Sequence, residues 1–266
     1  MSFEASEYTK AIILRAKSNL MRRRLILITG GSRGIGAATA VKFAKENNRL
    51  ILVYHSNDRE ARHVLSKLKG EGHFAVKADL SNAEEVESVF NKIDEPLDVL
   101  VNSAGIALPN SIDQNETEWI KSWNDTINLN LNGLAHCCYQ AAQKMKKQRM
   151  GSIVNISSRG AFRGEPDMLA YGASKGAVNS FTQSLAKSLG AYNISVTGVA
   201  PGFVDTDMAS EILDSEKGKD LINESPFKRI AKPEEVADTI YFLAKPSSHF
   251  LSGTIVDVNG ASFFRM

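Results

Sequence analysis

Seven short runs of apolar and β-branched residues recur along this chain, most of them separated by helix-length segments. The runs are Leu25–Thr29, Leu50–Tyr54, Phe74–Val76, Val99–Val101, Ile153–Ile156, Ile194–Val199 and Ile255–Val258. A run apolar at successive positions, such as Leu25-Ile26-Leu27-Ile28, suits a strand buried on both faces, whereas a half-exposed strand alternates. Between runs, Thr117 to Lys147 and Tyr171 to Leu189 carry apolar residues at helical spacing. Pro233-Glu234-Glu235 opens another helix, with proline in the first turn and acids complementing the helix dipole. Strict alternation of strand and helix predicts a parallel sheet with right-handed crossovers and helices on both faces. The expected architecture is one α/β, doubly wound domain over residues 25–266.

Residues 1–24 stand apart as an N-terminal extension. They are basic up to Met21-Arg22-Arg23-Arg24, but Glu4 and Glu7 are wrong for an organelle transit peptide, and there is no apolar core for a secretory signal. They read as an added helix or tail, or as residues preceding a start at Met21.

The overall balance narrows the function classes. A formal charge of +2 in 266 residues gives no concentration of positive charge for neutralising phosphates, so nucleic acid is not an expected partner. No apolar run is long enough to span a membrane. The two cysteines, Cys137 and Cys138, are adjacent, a poor arrangement for a bridge and unlike metal-ligand spacing. They read as packing residues in a reducing compartment, which suggests the cytoplasm. No metal site is expected.

Thr29-Gly30-Gly31-Ser32-Arg33-Gly34-Ile35-Gly36 joins the first run directly to a helix. Glycines permit a tight turn and close backbone approach, and the helix N-terminus offers free N–H groups and a favourable dipole to a pyrophosphate. A glycine-rich loop alone is a weak signal. Placed between strand and helix, it predicts a dinucleotide site.

The spacing Thr-Gly-x3-Gly-x-Gly resembles that of the short-chain dehydrogenase/reductase family, and the resemblance runs from about Leu25 to the end. Further elements fall in family order. Asp79-Leu80 follows the third strand, Asn102-Ser103-Ala104-Gly105 the fourth, and Pro201-Gly202 the sixth, with Val204 and Thr206 beyond it. The resemblance implies a Rossmann fold binding a nicotinamide cofactor through these residues and through Gly30, Ser32, Arg33, Gly34, Ile35 and Gly36. Selectivity for NAD usually rests on an acid ending the second strand. Here that strand ends Tyr54-His55-Ser56-Asn57, with no carboxylate before Asp58, while Arg33 can meet a phosphate. NADP(H) is the expected cofactor, with His55 and Ser56 as further contacts.

Tyr171 and Lys175 are four apart at the start of a helix, so they share a face. A free tyrosine titrates at about 10, and an ammonium one turn away is expected to lower that value. Ser158 follows the fifth strand, where a doubly wound sheet presents residues to its ligand crevice. Its distance from Tyr171 matches the family spacing better than that of Ser157. The resemblance makes Ser158 a hydrogen-bond partner of the substrate oxygen, Tyr171 the proton donor, Lys175 a contact to the cofactor ribose, and Asn130 the holder of a relay water.

Trp123-Asn124-Asp125, the stretch Gly198 to Met208 and Val258-Asn259-Gly260 resemble the family's 3-oxoacyl reductases, which implies an acyl carrier protein as partner. Tyr192 and Gly260-Ala261 depart from that pattern. Lys144, Lys146, Lys147 and Arg149 end a long helix and could form a basic patch for an acidic carrier, or simply complement the helix dipole. The alternatives are a dehydrogenase of a sugar, polyol or other small secondary alcohol, and a catalytically silent nucleotide sensor. The polar segment from Phe203 to Glu224 is expected to form a lid or a surface helix. Trp119 and Trp123 read as packing or interface residues, and the resemblance implies a homotetramer or homodimer.

Overall fold

All seven predicted strands form, and they pair in parallel in the order β3-β2-β1-β4-β5-β6-β7. They are β1 (Leu25–Thr29), β2 (Arg49–Tyr54), β3 (Phe74–Lys77), β4 (Val99–Asn102), β5 (Gly151–Ile156), β6 (Ile194–Pro201) and β7 (Ile255–Val258). This computed structural model describes residues 23–208 and 216–265. Of the extension expected at 1–24, only Arg23 and Arg24 fall within those bounds. Arg23 Nε donates to the Asn47 carbonyl at 3.2 Å and Arg24 Nη1 to that of Ala244 at 3.3 Å.

The helices are α1 (Gly34–Ala44), α2 (Asp58–Lys67), α3 (Ala83–Asn91), α4 (Glu116–Ile127), α5 (Leu134–Gln148), the single turn α6 (Gly160–Arg163), α7 (Leu169–Leu189), α8 (Glu216–Asn223) and α9 (Pro233–Leu243). The expected helix over 117–147 is in fact two, joined by a π-helical segment at Asn128–Gly133. Gly133 lies so close to the Leu80 carbonyl that an added Cβ would sit 2.2 Å from its oxygen.

Strand alternation divides the core between the two faces. Leu25 and Leu27 of β1 pack with Val86, Phe90, Cys137, Met145 and Val178 of α3, α5 and α7. Ile26 and Ile28 pack with Ala40, Phe43, Val64, Val236 and Ile240 of α1, α2 and α9. Both faces are therefore covered, which is why runs such as Leu25–Ile28 are apolar at successive positions. Burial pushes both thiols up, Cys137 to about 12, consistent with packing rather than redox use. No helix of the described residues is long and apolar enough to cross a membrane.

Parallel strands put all their C-terminal ends on one edge of the sheet. Order reverses between β1 and β4, so the turns after these strands diverge and leave a crevice there.

Candidate functional site

A cleft of about 520 Å³ opens at that edge. Gly30, Ser32, Arg33, Gly34 and Ile35 line one wall, and His55, Ser56, Asp79 and Leu80 line the end beyond β2. Ala104 and Gly105 form the floor with Ser103 and Ile106, and Thr206, Asp207 and Met208 close the far side.

The glycine turn is closed by backbone contact. Gly30 has φ +64°, and a Cβ there would lie 2.9 Å from Ala104 Cα. A Cβ on Gly36 would lie 2.1 Å from the Gly30 carbonyl oxygen, which no rotation relieves. Thr29 Oγ1 accepts from the N–H groups of Ser103 and Ala104 at 3.0 and 3.1 Å, tying this turn to the one after β4.

Helix α1 differs from its neighbours in a way that suits an anionic ligand. Asn57, Asn82 and Asn115 each cap their helices with a side-chain oxygen. Arg33 at the start of α1 supplies none, and no acid stands in the first turn. The first N–H groups of α1 are thus left to the cleft, where a pyrophosphate would meet them.

At the end beyond β2, Asp58 is directed elsewhere. It faces Lys77 at 3.5 Å, hydrogen-bonds Tyr54 and does not line the cleft. Asp79 does, with Oδ1 accepting from the N–H and Oγ of Ser81 at 2.9 and 2.7 Å, which holds its carboxyl below the usual range. Arg33 is largely exposed, its Nη1 3.8 Å from Asp207.

The candidate chemistry sits where β5 and α7 meet. Gly160 N–H donates to Ser158 Oγ at 3.0 Å, and the Ser158 hydroxyl stands as a hydrogen-bonding neighbour of Tyr171. Ser157 is turned away, its Oγ 3.4 Å from the Lys175 carbonyl. Lys175 is buried, with Nζ donating to the Ile156 carbonyl at 2.8 Å and lying 5.6 Å from the Tyr171 ring centroid. Burial brings this ammonium down to about 8.

Helix pairing leads one to expect a lowered tyrosine. Instead Tyr171 is raised: burial disfavours the phenolate most, the Ser158 hydrogen bond pulls the other way, and the Glu165 charge raises it further. Desolvation dominates, and the charge that registers at the phenol is that of Glu165 rather than Lys175.

Asn130 lies in the π segment and is fully buried. Its Oδ1 accepts from Ile106 N–H at 2.9 Å, while Nδ2 donates to the Ile106 carbonyl at 2.8 Å and to Ser174 Oγ at 3.3 Å. A Cβ on Gly105 would stand 3.1 Å from Asn130 Oδ1 and 3.6 Å from Lys175 Nζ, so both side chains converge on the cleft floor.

The chain is similar to known proteins over nearly all of its length after residue 25. Residues 30–261 match the family model described as enoyl-(acyl carrier protein) reductase. The chain is 33% identical over 242 residues to the 3-oxoacyl-acyl-carrier-protein reductase FabG of Staphylococcus aureus, covering 89% of this chain and 97% of that protein. It is 35% identical over 243 residues to the 3-oxoacyl-acyl-carrier-protein reductase of Synechocystis sp., covering 89% and 96%. A structure of ElxO with NADP bound superposes with a TM-score of 0.82 at 31% identity, covering 91% of this chain and 99% of that one. The chain belongs to the short-chain dehydrogenase/reductase family. It is accordingly a nicotinamide-dependent oxidoreductase.

Among the family's expected positions, Asn102 is not in the cleft. Its Nδ2 donates to Asn155 Oδ1 at 2.9 Å and to Cys138 Sγ at 3.1 Å, inside the core. Alternation along β4 explains this, since the last strand residue points to one face while Ser103 begins the turn. Pro201, Gly202 and Val204 shape the far wall without lining it, with Gly202 N–H bonded to the Val258 carbonyl at 3.0 Å and Val204 buried beside Ala231.

The basic patch is also displaced. Lys144, Lys146, Lys147 and Arg149 end α5, which leads directly into the start of β5, so they lie at the edge opposite the cleft. Lys146 and Arg149 stand 4.6 and 5.9 Å from the Tyr192 ring centroid, and Lys144 Nζ donates to the Ile93 carbonyl at 2.8 Å. Sequence reading also missed Ile106, Asp207 and Met208, all beside residues it named. Trp119 and Trp123 stack at 5.1 Å between centroids. The predicted lid is a helix over 216–223; its residues 209–215 lie outside the described residues.

Proposed function

We propose that this chain is an NADP(H)-dependent reductase of 3-oxoacyl thioesters carried by an acyl carrier protein, with Ser158, Tyr171, Lys175 and Asn130 at the reacting centre. The observation that carries the reading is the Ser158–Tyr171 hydroxyl pair, with Lys175 one helical turn on, beside a cleft with an uncapped helix N-terminus. The two reductases of 3-oxoacyl groups above share their whole length with it. The cofactor choice draws support from the guanidinium of Arg33 at the cleft wall, from Asp58 being paired with Lys77, and from the NADP-bound neighbour.

A bound nicotinamide supplies hydride in reduction and accepts it in oxidation. Around it, the chain positions and protonates. Ser158 and Tyr171 both hydrogen-bond the substrate oxygen, polarising the carbonyl as negative charge develops. Tyr171 gives that oxygen its proton. A phenol raised by burial is a weak acid, so developing alkoxide must draw the proton while Lys175 stabilises the phenolate left behind. Lys175, brought down to about 8, can itself exchange a proton near neutral pH. Asn130 holds the Ile106 backbone at the floor and has one Oδ1 lone pair left for a relay water. The exposed apolar side chains Ile120 and Tyr139 on α4 and α5 support a homotetramer or homodimer, and the unbridged thiols support a cytoplasmic setting.

The test is to mix purified protein with a short 3-oxoacyl thioester and follow NADPH or NADH absorbance. Rapid oxidation of NADPH, with NADH slower by roughly tenfold or more for one lost phosphate contact, is expected. Turnover of sugars or polyols in preference to the thioester would replace the substrate class and leave the chemistry standing.

A further inference from the structure

Beside Ser158 lies a cluster of charges, built on the buried Arg159, that the proposed chemistry does not use. Arg159 follows the serine directly, yet its side chain is only 4% exposed. Its guanidinium donates to Ser262 Oγ at 2.6 Å, pairs with Glu224 Oε2 at 2.6 Å and lies 4.8 Å from the Phe203 ring centroid. Glu224 is shared, because Arg163 Nη1 reaches its two oxygens at 2.9 and 3.0 Å. Arg163 Nε also faces Glu165 Oε1 at 3.4 Å.

Glu165 is wedged between the two hydroxyl-bearing segments. A Cβ on Gly160, two residues past Ser158, would lie 2.6 Å from its Oε1, and one on Gly172, next to Tyr171, would lie 3.8 Å from its Cβ. None of these four charged residues lines the cofactor cleft. A charge as buried as that of Arg159 is costly unless its partner is held, so the network is sensitive to loss of Glu224. Exposed pairs such as Lys121–Asp125 carry no such constraint.

The network joins segments far apart in the chain. Arg159 precedes α6 and Arg163 ends it, Glu165 leads into α7, Glu224 stands one residue beyond α8, and Ser262 belongs to the C-terminal tail. We propose that Arg159, Arg163, Glu165 and Glu224 are positioning residues that hold α8 against the Ser158 loop and set the charge around the Tyr171 hydroxyl. The inference rests on the reading of Ser158 and Tyr171 as the reacting pair.

Among the described residues, the charged groups around Tyr171 are Lys175 on its own helix, Glu165 on the preceding loop, and behind it Arg163, Arg159 and Glu224. A carboxylate at 165 disfavours the phenolate, and the arginines temper it. The signs therefore differ between variants. Removing negative charge eases ionisation of Tyr171, and removing Arg163 hinders it. Packing alone predicts no such opposition.

The experiment measures pH profiles of kcat/KM for oxidation of a short 3-hydroxyacyl thioester by NADP, in the full chain and in E165Q, E224Q, R163Q and Y171F. The acid limb should move down by roughly half a pH unit in E165Q and E224Q and up in R163Q. KM for the thioester should rise about tenfold in E224Q, well beyond any change in kcat, because α8 is released. E224D, which keeps the charge, should return the limb towards wild type. Limbs that stay put, or move the same way in all three, would overturn the proposal. Wild-type turnover in Y171F would instead overturn the reading beneath it.

Discussion

The two sides of the site are built from different materials. The cofactor wall is backbone against backbone, made of a glycine turn, an uncapped helix end and a floor pinned by Thr29 Oγ1. The wall beyond Ser158 is side chain against side chain, with two arginines, two carboxylates and the Ser262 hydroxyl meeting from segments up to 103 residues apart. The first kind of wall tolerates no added atom but is indifferent to many surface charges. The second can accept changes of shape and is vulnerable to loss of a single charge.

The comparison is most easily broken at Gly36. Replacing it with alanine drives a methyl to 2.1 Å from a carbonyl oxygen held in the turn. NADPH affinity, followed by cofactor fluorescence, should fall by about a hundredfold or more, or the fold should fail outright. Normal binding would remove the backbone cradle from the account.

Lys175→Met sharpens the same contrast by separating stability from activity. The folded lysine titrates at about 8 against the usual 10.5, so between these values the unfolded chain binds the extra proton and stability rises with pH. Below about 8 the buried ammonium opposes folding. The variant should lose about a hundredfold or more in kcat. At pH 7 it should also be stabilised by up to roughly 3 kcal/mol, less the lost bond to Ile156, with a flatter stability profile above pH 8. Thermal melts at pH 7 and 10 measure this, and destabilisation at both would contradict it.

The smallest effect is expected at Asn102→Ala. Its amide serves Asn155 and Cys138 in the core, so stability should drop by about 1–3 kcal/mol while cofactor affinity is kept. A large loss of affinity with unchanged stability would return Asn102 to the cleft.

The backbone wall was legible because its determinants are local. Strand, turn and helix lie within 20 residues, and β1 is apolar on both faces because both faces are covered. The pair Tyr171 and Lys175 was legible for the same reason, being one helical turn apart. Asn102 was misplaced by a single residue of alternation. The basic end of α5 was misplaced because helical spacing reveals charge but not the edge of the sheet, although the direction of β5 would have settled it. The break at Asn128–Gly133 escaped because a π segment keeps nearly helical periodicity. No local pattern links Glu224 to Arg159, so the second wall emerges only once the chain is folded. The direction of the Tyr171 shift was missed for a related reason: burial is a property of the whole packing.

The most direct measurement is Tyr171→Phe, with turnover and NADPH binding recorded on the same preparation. Loss of one hydroxyl should lower kcat by about a thousandfold while leaving the cofactor dissociation constant within about threefold, since the cradle is untouched. Turnover near that of the unmodified chain, with NADPH still bound, would contradict the assignment of the proton to Tyr171.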